Sequence, residues 1–211
     1  MRKTEILAIF LTLASVIGAY ILYPYLPEPM VSHWNAQGEP DGTMSRFWSL
    51  AMTPIVFTLF TLMLIFIPRI DPLKKNLETF RGYFDGFILI LYAFFILIFG
   101  QIILWNLGTE ISFNLTMPVA FAIMMFYIGV MLEKSKMNWF VGIRTPWTLS
   151  SEKVWTKTHK LAAKLFKIAA VITLIGVFFQ PQAIWIMVAA ILIAALYPVI
   201  YSYFAYVKEN L

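Results

Sequence analysis

Six stretches of this chain are apolar for long enough to leave little choice of solvent. They run over Ile6–Tyr23, Trp48–Ile67, Phe87–Trp105, Met117–Leu132, Leu165–Phe179 and Ala183–Val207. A helix needs roughly 20 apolar residues to cross a hydrocarbon core about 30 Å thick. Inside that core the backbone must satisfy its own hydrogen bonds, so a spanning segment is a helix or part of a closed barrel. Continuous apolar runs without strict alternation predict helices. Composition agrees: 61% of the 211 residues are hydrophobic and only 13% are charged, about half the charged share of a soluble domain. The expected fold class is all-α, a polytopic integral membrane protein with six transmembrane helices.

Orientation follows from where the cations fall. Short loops rich in Lys and Arg stay on the cytoplasmic side. With six spans, fifteen of the sixteen Lys and Arg residues lie on one side, and Arg46 alone lies on the other. Both termini are therefore expected in the cytoplasm. The net charge of +5 is then explained by an anionic inner leaflet, with no direct nucleic-acid binding. The first span follows Met1-Arg2-Lys3 but is long for a signal peptide and lacks a clear cleavage site, so it reads as a retained helix. Gln180-Pro181-Gln182 alone joins the last two spans, which predicts an antiparallel hairpin, and Pro198 should kink the final helix.

Two loops carry the informative residues. The first outer loop runs from Pro24 to Phe47. Pro24, Pro27 and Pro29 end the first helix, and Met30–Trp34 reads as a short strand or an extended surface segment. Asn35, Gly38, Pro40, Asp41 and Gly42 supply turn chemistry, while Trp34, Phe47 and Trp48 suit an interfacial aromatic belt. His33, Glu39 and Asp41 are metal-ligating types, but this face offers one His where a zinc site wants three or four ligands, so no metal is expected. The functional expectation is that the loop presents His33, Trp34 and Asn35, with Gly38, Glu39, Asp41 and Gly42, to a partner outside the cell. Asn114-Leu115-Thr116 matches a glycosylation pattern but sits on a membrane boundary, where chance explains it better.

The long inner loop divides in two. Asn138–Leu149 holds Trp139, Gly142, Arg144, Pro146 and Trp147, and cannot be helical throughout. Arg144 reads first as a structural clamp that bonds helix carbonyls or stacks on Trp147, and second as a lipid-phosphate ligand. Thr148 or Ser150 is expected to cap a helix whose first turn holds Glu152. Lys153, Lys157, Lys160, Lys164 and Lys167 then recur at steps of 4, 3, 4 and 3. That spacing makes a stripe about 80° wide at 100° per residue. Val154, Thr158, Leu161, Ala162 and Leu165 oppose it. The pattern predicts a basic amphipathic helix lying on the inner leaflet before the fifth span, its lysines among anionic headgroups. A docking surface for a cytoplasmic protein is the second reading. His159, beside Trp155 and Phe166, reads as a packed histidine.

The inner loop is also where the chain becomes recognisable. Asn138, Gly142-Ile143-Arg144-Thr145-Pro146-Trp147, Leu149-Ser150, Glu152, Val154-Trp155 and Thr158-His159 closely resemble the signature of the SdpI family of bacterial and archaeal membrane proteins. The first half resembles a membrane domain of unknown function often fused to that module. Its outer-loop hallmark is matched by His33, Asn35, Gly38, Asp41 and Gly42. The resemblance implies two parts, residues 1–70 with two spans and residues 71–211 with four. It also implies a plasma-membrane protein that gives a cell immunity to a secreted toxic peptide. Family members also sense that toxin by holding a cytoplasmic autorepressor at the membrane. The resemblance assigns no catalytic residues.

The residues themselves weigh against two other classes. No His-Glu-x-x-His, Gly-x-Ser-x-Gly or paired intramembrane Asp is present, so neither enzyme chemistry nor a cofactor is expected. A transporter or channel for a peptide or small molecule is the alternative. The spans place Gln101 as their main interior polar side chain, and Asp85 at a boundary, which argues against ion coupling.

Overall fold

Each apolar run folds as a helix, and most of the helices extend beyond their runs at one end or both. The computed structural model describes residues 1–179 and 182–210. In chain order the elements are α1 (Lys3–Leu22), a 3₁₀ turn (Tyr23–Tyr25), β1 (Met30–Trp34), β2 (Pro40–Met44), α2 (Arg46–Ile70), α3 (Lys74–Thr79), α4 (Arg81–Asn106), α5 (Phe113–Lys134), α6 (Pro146–Ser150), α7 (Glu152–Gly176) and α8 (Ala183–Asn210). Helices α1, α2, α4, α5 and α8 are long and apolar enough to cross a membrane. They carry large exposed hydrophobic side chains, such as Phe10, Leu59, Ile193 and Phe204, a surface suited to a lipid environment. The chain is a multi-pass membrane protein.

The fold is mostly helical, as expected, and Met30–Trp34 is the short strand that the sequence allows: β1 and β2 pair antiparallel, with Met30 opposite Met44 and Trp34 opposite Pro40. One expectation is corrected: the basic segment and the fifth apolar run are not separate elements. They form the single continuous helix α7, with Val154, Trp155, Thr158, His159, Ala162, Ala163, Ala169 and Ala170 all buried. A helix with one face buried from its first turn is packed against the bundle along that face. Its basic first half also keeps it outside the five apolar helices. The connecting residues Gln180 and Pro181 lie outside the described residues, while Pro198 falls inside α8 as expected.

Packing divides into two bodies of contact. At the end of the bundle that carries the basic residues, α1, α2, α3 and α4 share a core of Leu64, Leu77, Phe80, Phe84, Ile88 and Tyr92, which Met131 and Val141 complete. Helices α5, α7 and α8 instead meet through Ala122, Ala169, Ala170, Ala190 and Ala194. Small residues let helix backbones approach closely in lipid, where apolar burial gives little net drive for association. Gly129 makes the point locally: a Cβ there would lie 2.7 Å from the Ala163 carbonyl oxygen.

An ion network ties the basic ends of the first helices together. Arg81 Nε donates to Asp85 Oδ1 at 2.6 Å, Arg2 Nε reaches Asp85 Oδ2 at 3.0 Å, and Arg69 Nη2 bonds Glu5 Oε1 at 3.0 Å. Glu5, Arg81 and Asp85 are buried. One to two turns further in, Tyr92 Oη bonds Thr61 Oγ1 at 2.6 Å and Thr12 Oγ1 at 3.2 Å. The apolar runs exclude these charges because they begin at Ile6 and Phe87. The helices include them because a buried charge is tolerated when paired and hydrogen-bonded.

Candidate functional site

The structure gathers the notable residues into two places, one at each end of the bundle. At the end carrying the hairpin, the outer-loop motif builds a turn. Asn35 Oδ1 accepts from the N–H groups of Gln37 and Glu39 at 2.9 and 3.0 Å, and its Nδ2 donates to Glu39 Oε2. This side chain therefore reinforces the backbone bonds of the turn, Asn35 N–H to the Glu39 carbonyl and Gly38 N–H to the Asn35 carbonyl, each 2.9 Å. Gly38 takes φ +84° and packs against Asn114, while Gly42 lies so close to His33 that a Cβ would sit 2.9 Å from that residue's Cβ. The cross-strand pairing is irregular at His33. There the exposed His33 Nδ1 meets Asp41 Oδ1 at 2.5 Å. Five motif residues are thus one hairpin, and two of them leave a polar pair facing outward.

Trp34 points the other way. It stacks on Phe113 at 3.9 Å and meets Trp105 edge-on at 5.4 Å, which anchors the hairpin to α4 and α5. Asn106 fixes the same strand by exchanging two hydrogen bonds with the backbone of Val31, each 2.9 Å. Asn114 donates to the Ala36 carbonyl at 3.1 Å and is buried, which suits a packing role and not a sugar acceptor. Between hairpin and helices lies a cleft of about 410 Å³ with His33, Trp34 and Asn35 on one wall and Ile98, Phe113 and Ile184 among the others. Its chemistry is that of an apolar slot with a polar rim, suited to an apolar side chain that carries a polar backbone. Glu39 sits outside it, exposed beside Asn35.

At the basic end the inner loop folds as a cap. Asn138 is fully buried. Its Oδ1 accepts from the N–H groups of Phe140 and Val141, and its Nδ2 donates to the carbonyls of Lys136 and Val141. Asp71, just beyond α2, accepts from the Trp139 N–H at 3.0 Å, and Asn76 on α3 donates to the Met137 carbonyl at 2.8 Å. The loop between α5 and α6 is thereby sewn to the loop between α2 and α4.

His159 and Gly142 form one device. The Nδ1–H of His159 donates to the Trp155 carbonyl at 2.8 Å, which leaves Nε2 to accept from the Ile143 N–H at 3.0 Å. The imidazole is neutral in this arrangement. Burial pushes its pKa down to about 4, with the Trp155 carbonyl pulling the other way. Trp155 stacks on the ring at 3.9 Å, and its Nε1 donates to the Ser135 carbonyl. Gly142 has φ +113°, and a Cβ there would lie 2.3 Å from His159 Nε2. Both the backbone angle and the imidazole require glycine.

Thr145 caps α6 through Thr148, and Pro146 occupies the first helical position. The Thr145 hydroxyl also reaches Ser202 Oγ at 3.1 Å, and Trp147 meets Tyr203 edge-on at 5.2 Å, so α6 is fastened to α8. Ser151, and not Thr148 or Ser150, caps α7, because Pro146–Ser150 forms a short helix of its own. Arg144 is exposed, and its guanidinium donates to the Trp139 carbonyl and does not stack on Trp147. Thr158 is buried on α7. Lys153, Lys157, Lys160 and Lys164 are exposed along one face, and Lys167, half-buried, pairs with Glu133.

Asp71, Asn76 and Ser202 fasten the inner loop and Asn106 fastens the hairpin, and sequence reading passes over each of them. Their only signal is a polar side chain in a chain with few, since no spacing relates them to their partners. Among the described residues no three His, Asp or Glu side chains converge on a common point that could hold a metal ion.

Comparison with known proteins adds a name to each end. Residues 134–202 match the SdpI/YfhL protein family, and residues 9–58 match a domain of unknown function, DUF1648. The first match contains the inner cap with Gly142, Arg144 and His159, and the second contains the hairpin. Over 209 residues the chain is 26% identical to the immunity protein SdpI of Bacillus subtilis (strain 168), a match that covers 99% of this chain and 98% of that relative. No solved structure matches.

Proposed function

We propose that this protein protects a bacterial cell against a secreted toxic peptide, which it engages at the outer hairpin and the cleft beneath it. The observation that carries this reading is the end-to-end similarity to an immunity protein, which leaves neither terminal region unmatched. The outer cleft supports it, because a slot with apolar walls and the exposed His33–Asp41 pair at its mouth suits an amphipathic peptide arriving at the membrane surface. The protein acts as a binding protein in this reading, without catalysis or a cofactor.

The topology that goes with this reading has six spans, with the apolar second half of α7, from Leu165 onward, as the fifth and both termini in the cytoplasm. The bias of fifteen cations to one side supports it. The chain divides near residue 70 into a hairpin-bearing part and a cap-bearing part. The lysines of α7 face anionic headgroups, and the cap formed by Asn138–Trp147 is the surface offered to a cytoplasmic repressor. The exposed Trp139 and Arg144 favour such a docking role over a purely internal one.

The test is survival of toxin-sensitive cells that make the protein, set beside Arg144→Ala and His33→Ala variants matched for membrane abundance. Wild type should protect against at least one secreted peptide, and His33→Ala should weaken that protection. Retention of a co-expressed repressor on membranes reads the second role separately, and Arg144→Ala should reduce it. Absence of protection by abundant wild-type protein against the toxins tried would remove those toxins from the proposal.

A further inference from the structure

The lysines of α7 are not equivalent. Lys157 alone among them lines a cleft of about 340 Å³ between α7 and α8, together with Tyr201, Phe204, Ala205 and Lys208. Lys153 and Lys157 lie 4.0 and 3.9 Å from Glu209 Oε2, too far for hydrogen bonds, while Glu209 Oε1 accepts from Ser151. Glu209 therefore draws the two ammonium groups toward the helix seam and offsets only part of their charge, with Lys208 adding a third cation from the other side.

What lies above the cations decides the kind of anion. On α8, Lys208, Phe204, Tyr201 and Tyr197 recur at steps of 4, 3 and 4 and so share one face. On α7, Lys157, Lys164, Ile168 and Ile175 share one face by the same rule. Phe204, Tyr197, Ile168 and Ile175 are exposed. The cleft is thus a cationic floor that opens directly onto an apolar seam. A free phosphate would use only the floor, whereas an anionic phospholipid uses both floor and seam. Basic recesses between helices at the cytoplasmic surface bind such headgroups.

We infer that the α7–α8 cleft is a binding site for an anionic phospholipid, whose phosphate sits between Lys157 and Lys208 and whose acyl chain lies along Tyr197 and Ile168. This site is distinct from the outer cleft and does not depend on the immunity reading. Tyr201 supplies a hydroxyl at the mouth, and Phe204 covers the glycerol region. The remaining lysines contribute general attraction without forming the site.

Native mass spectrometry of the full chain in detergent tests this by titrating phosphatidylglycerol and phosphatidylcholine of equal chain length. Wild type should retain phosphatidylglycerol over phosphatidylcholine by roughly tenfold or more. The pair Lys157→Gln/Lys208→Gln should lose most of that preference, whereas the charge-matched pair Lys136→Gln/Lys160→Gln, exposed and outside the cleft, should keep it. An excess of inorganic phosphate should not displace the lipid. Equal loss in both pairs would reduce the site to diffuse electrostatics and overturn the inference. So would equal retention of the two lipids by wild type, or displacement by phosphate alone. The wild-type comparison stands even if a variant were too unstable to purify.

Discussion

Gly142 concentrates the logic of the inner cap in one position. Its left-handed φ disfavours any side chain, and the space a Cβ would fill belongs to the imidazole that accepts from the Ile143 N–H. Gly142→Ala should therefore destabilise the protein by about 2–4 kcal/mol, read as a drop in midpoint of thermal unfolding in detergent. Gly18, which has open space around its Cβ position, should tolerate the same change. His159 makes a pH-dependent contribution of definite sign. Its folded-state pKa is depressed to about 4 from an ordinary value of 6.5. On acidification the unfolded chain takes up the proton first, so this contribution is fully present above pH 6.5 and is lost as pH falls toward 4. Between pH 7 and pH 4.5 the wild type should lose about 2–3 kcal/mol from this group. A His159→Gln variant should lack that share of the acid sensitivity, and an unchanged pH dependence would refute the assignment.

At the scale of elements, the basic ends of α1, α2 and α4 are joined by charge, and α5, α7 and α8 are joined by small residues. Asp85 accepts from Arg81, Arg2 and Thr4 at 2.6, 3.0 and 2.9 Å. Asp85→Ala removes all three partners and leaves the buried Arg81 guanidinium underpaired, which should cost on the order of 3 kcal/mol. Asp85→Asn keeps hydrogen-bonding capacity and should cost less, and the difference between the two in denaturation midpoint measures the role of geometry apart from charge. Sequence reading places this acid at a span boundary and stops there. The run of apolar residues begins after it, and nothing in the spacing reveals that Arg2 lies eighty-three positions away in the chain but in direct contact. The same blindness hides Asp71 and Asn76, which bind the cap across gaps of sixty-odd residues. The hairpin is the contrary case. Asn35, Gly38 and Gly42 announce a turn because their chemistry acts within a few residues.

For the whole molecule, the consequential question is which end faces out, and the chain offers a clean means of asking it. It contains no cysteine, so a single introduced thiol is the only one labelled. Gln37→Cys at the hairpin tip, exposed in the structure, should react with a membrane-impermeant maleimide on intact cells. Lys136→Cys in the inner cap, also exposed, should react only after the membrane is opened. The reverse pattern would invert the topology on which the roles of both ends depend.

By itself the sequence determined that this chain lives in a membrane, roughly where its apolar helices run, that a turn interrupts the first outer loop, and which loops deserve attention. Those properties follow from local composition and from periodicities of a few residues, and no partner elsewhere in the chain can change them. Tertiary structure alone decided that the basic stripe is one side of a helix whose other face is buried from its first turn, that His159 accepts from Ile143 beside a required glycine, and that Lys157 shares a cleft with Lys208 while Lys160 does not. Each of these depends on which surface a neighbouring helix covers. Helical periodicity places a residue on a face, but only packing decides what that face meets.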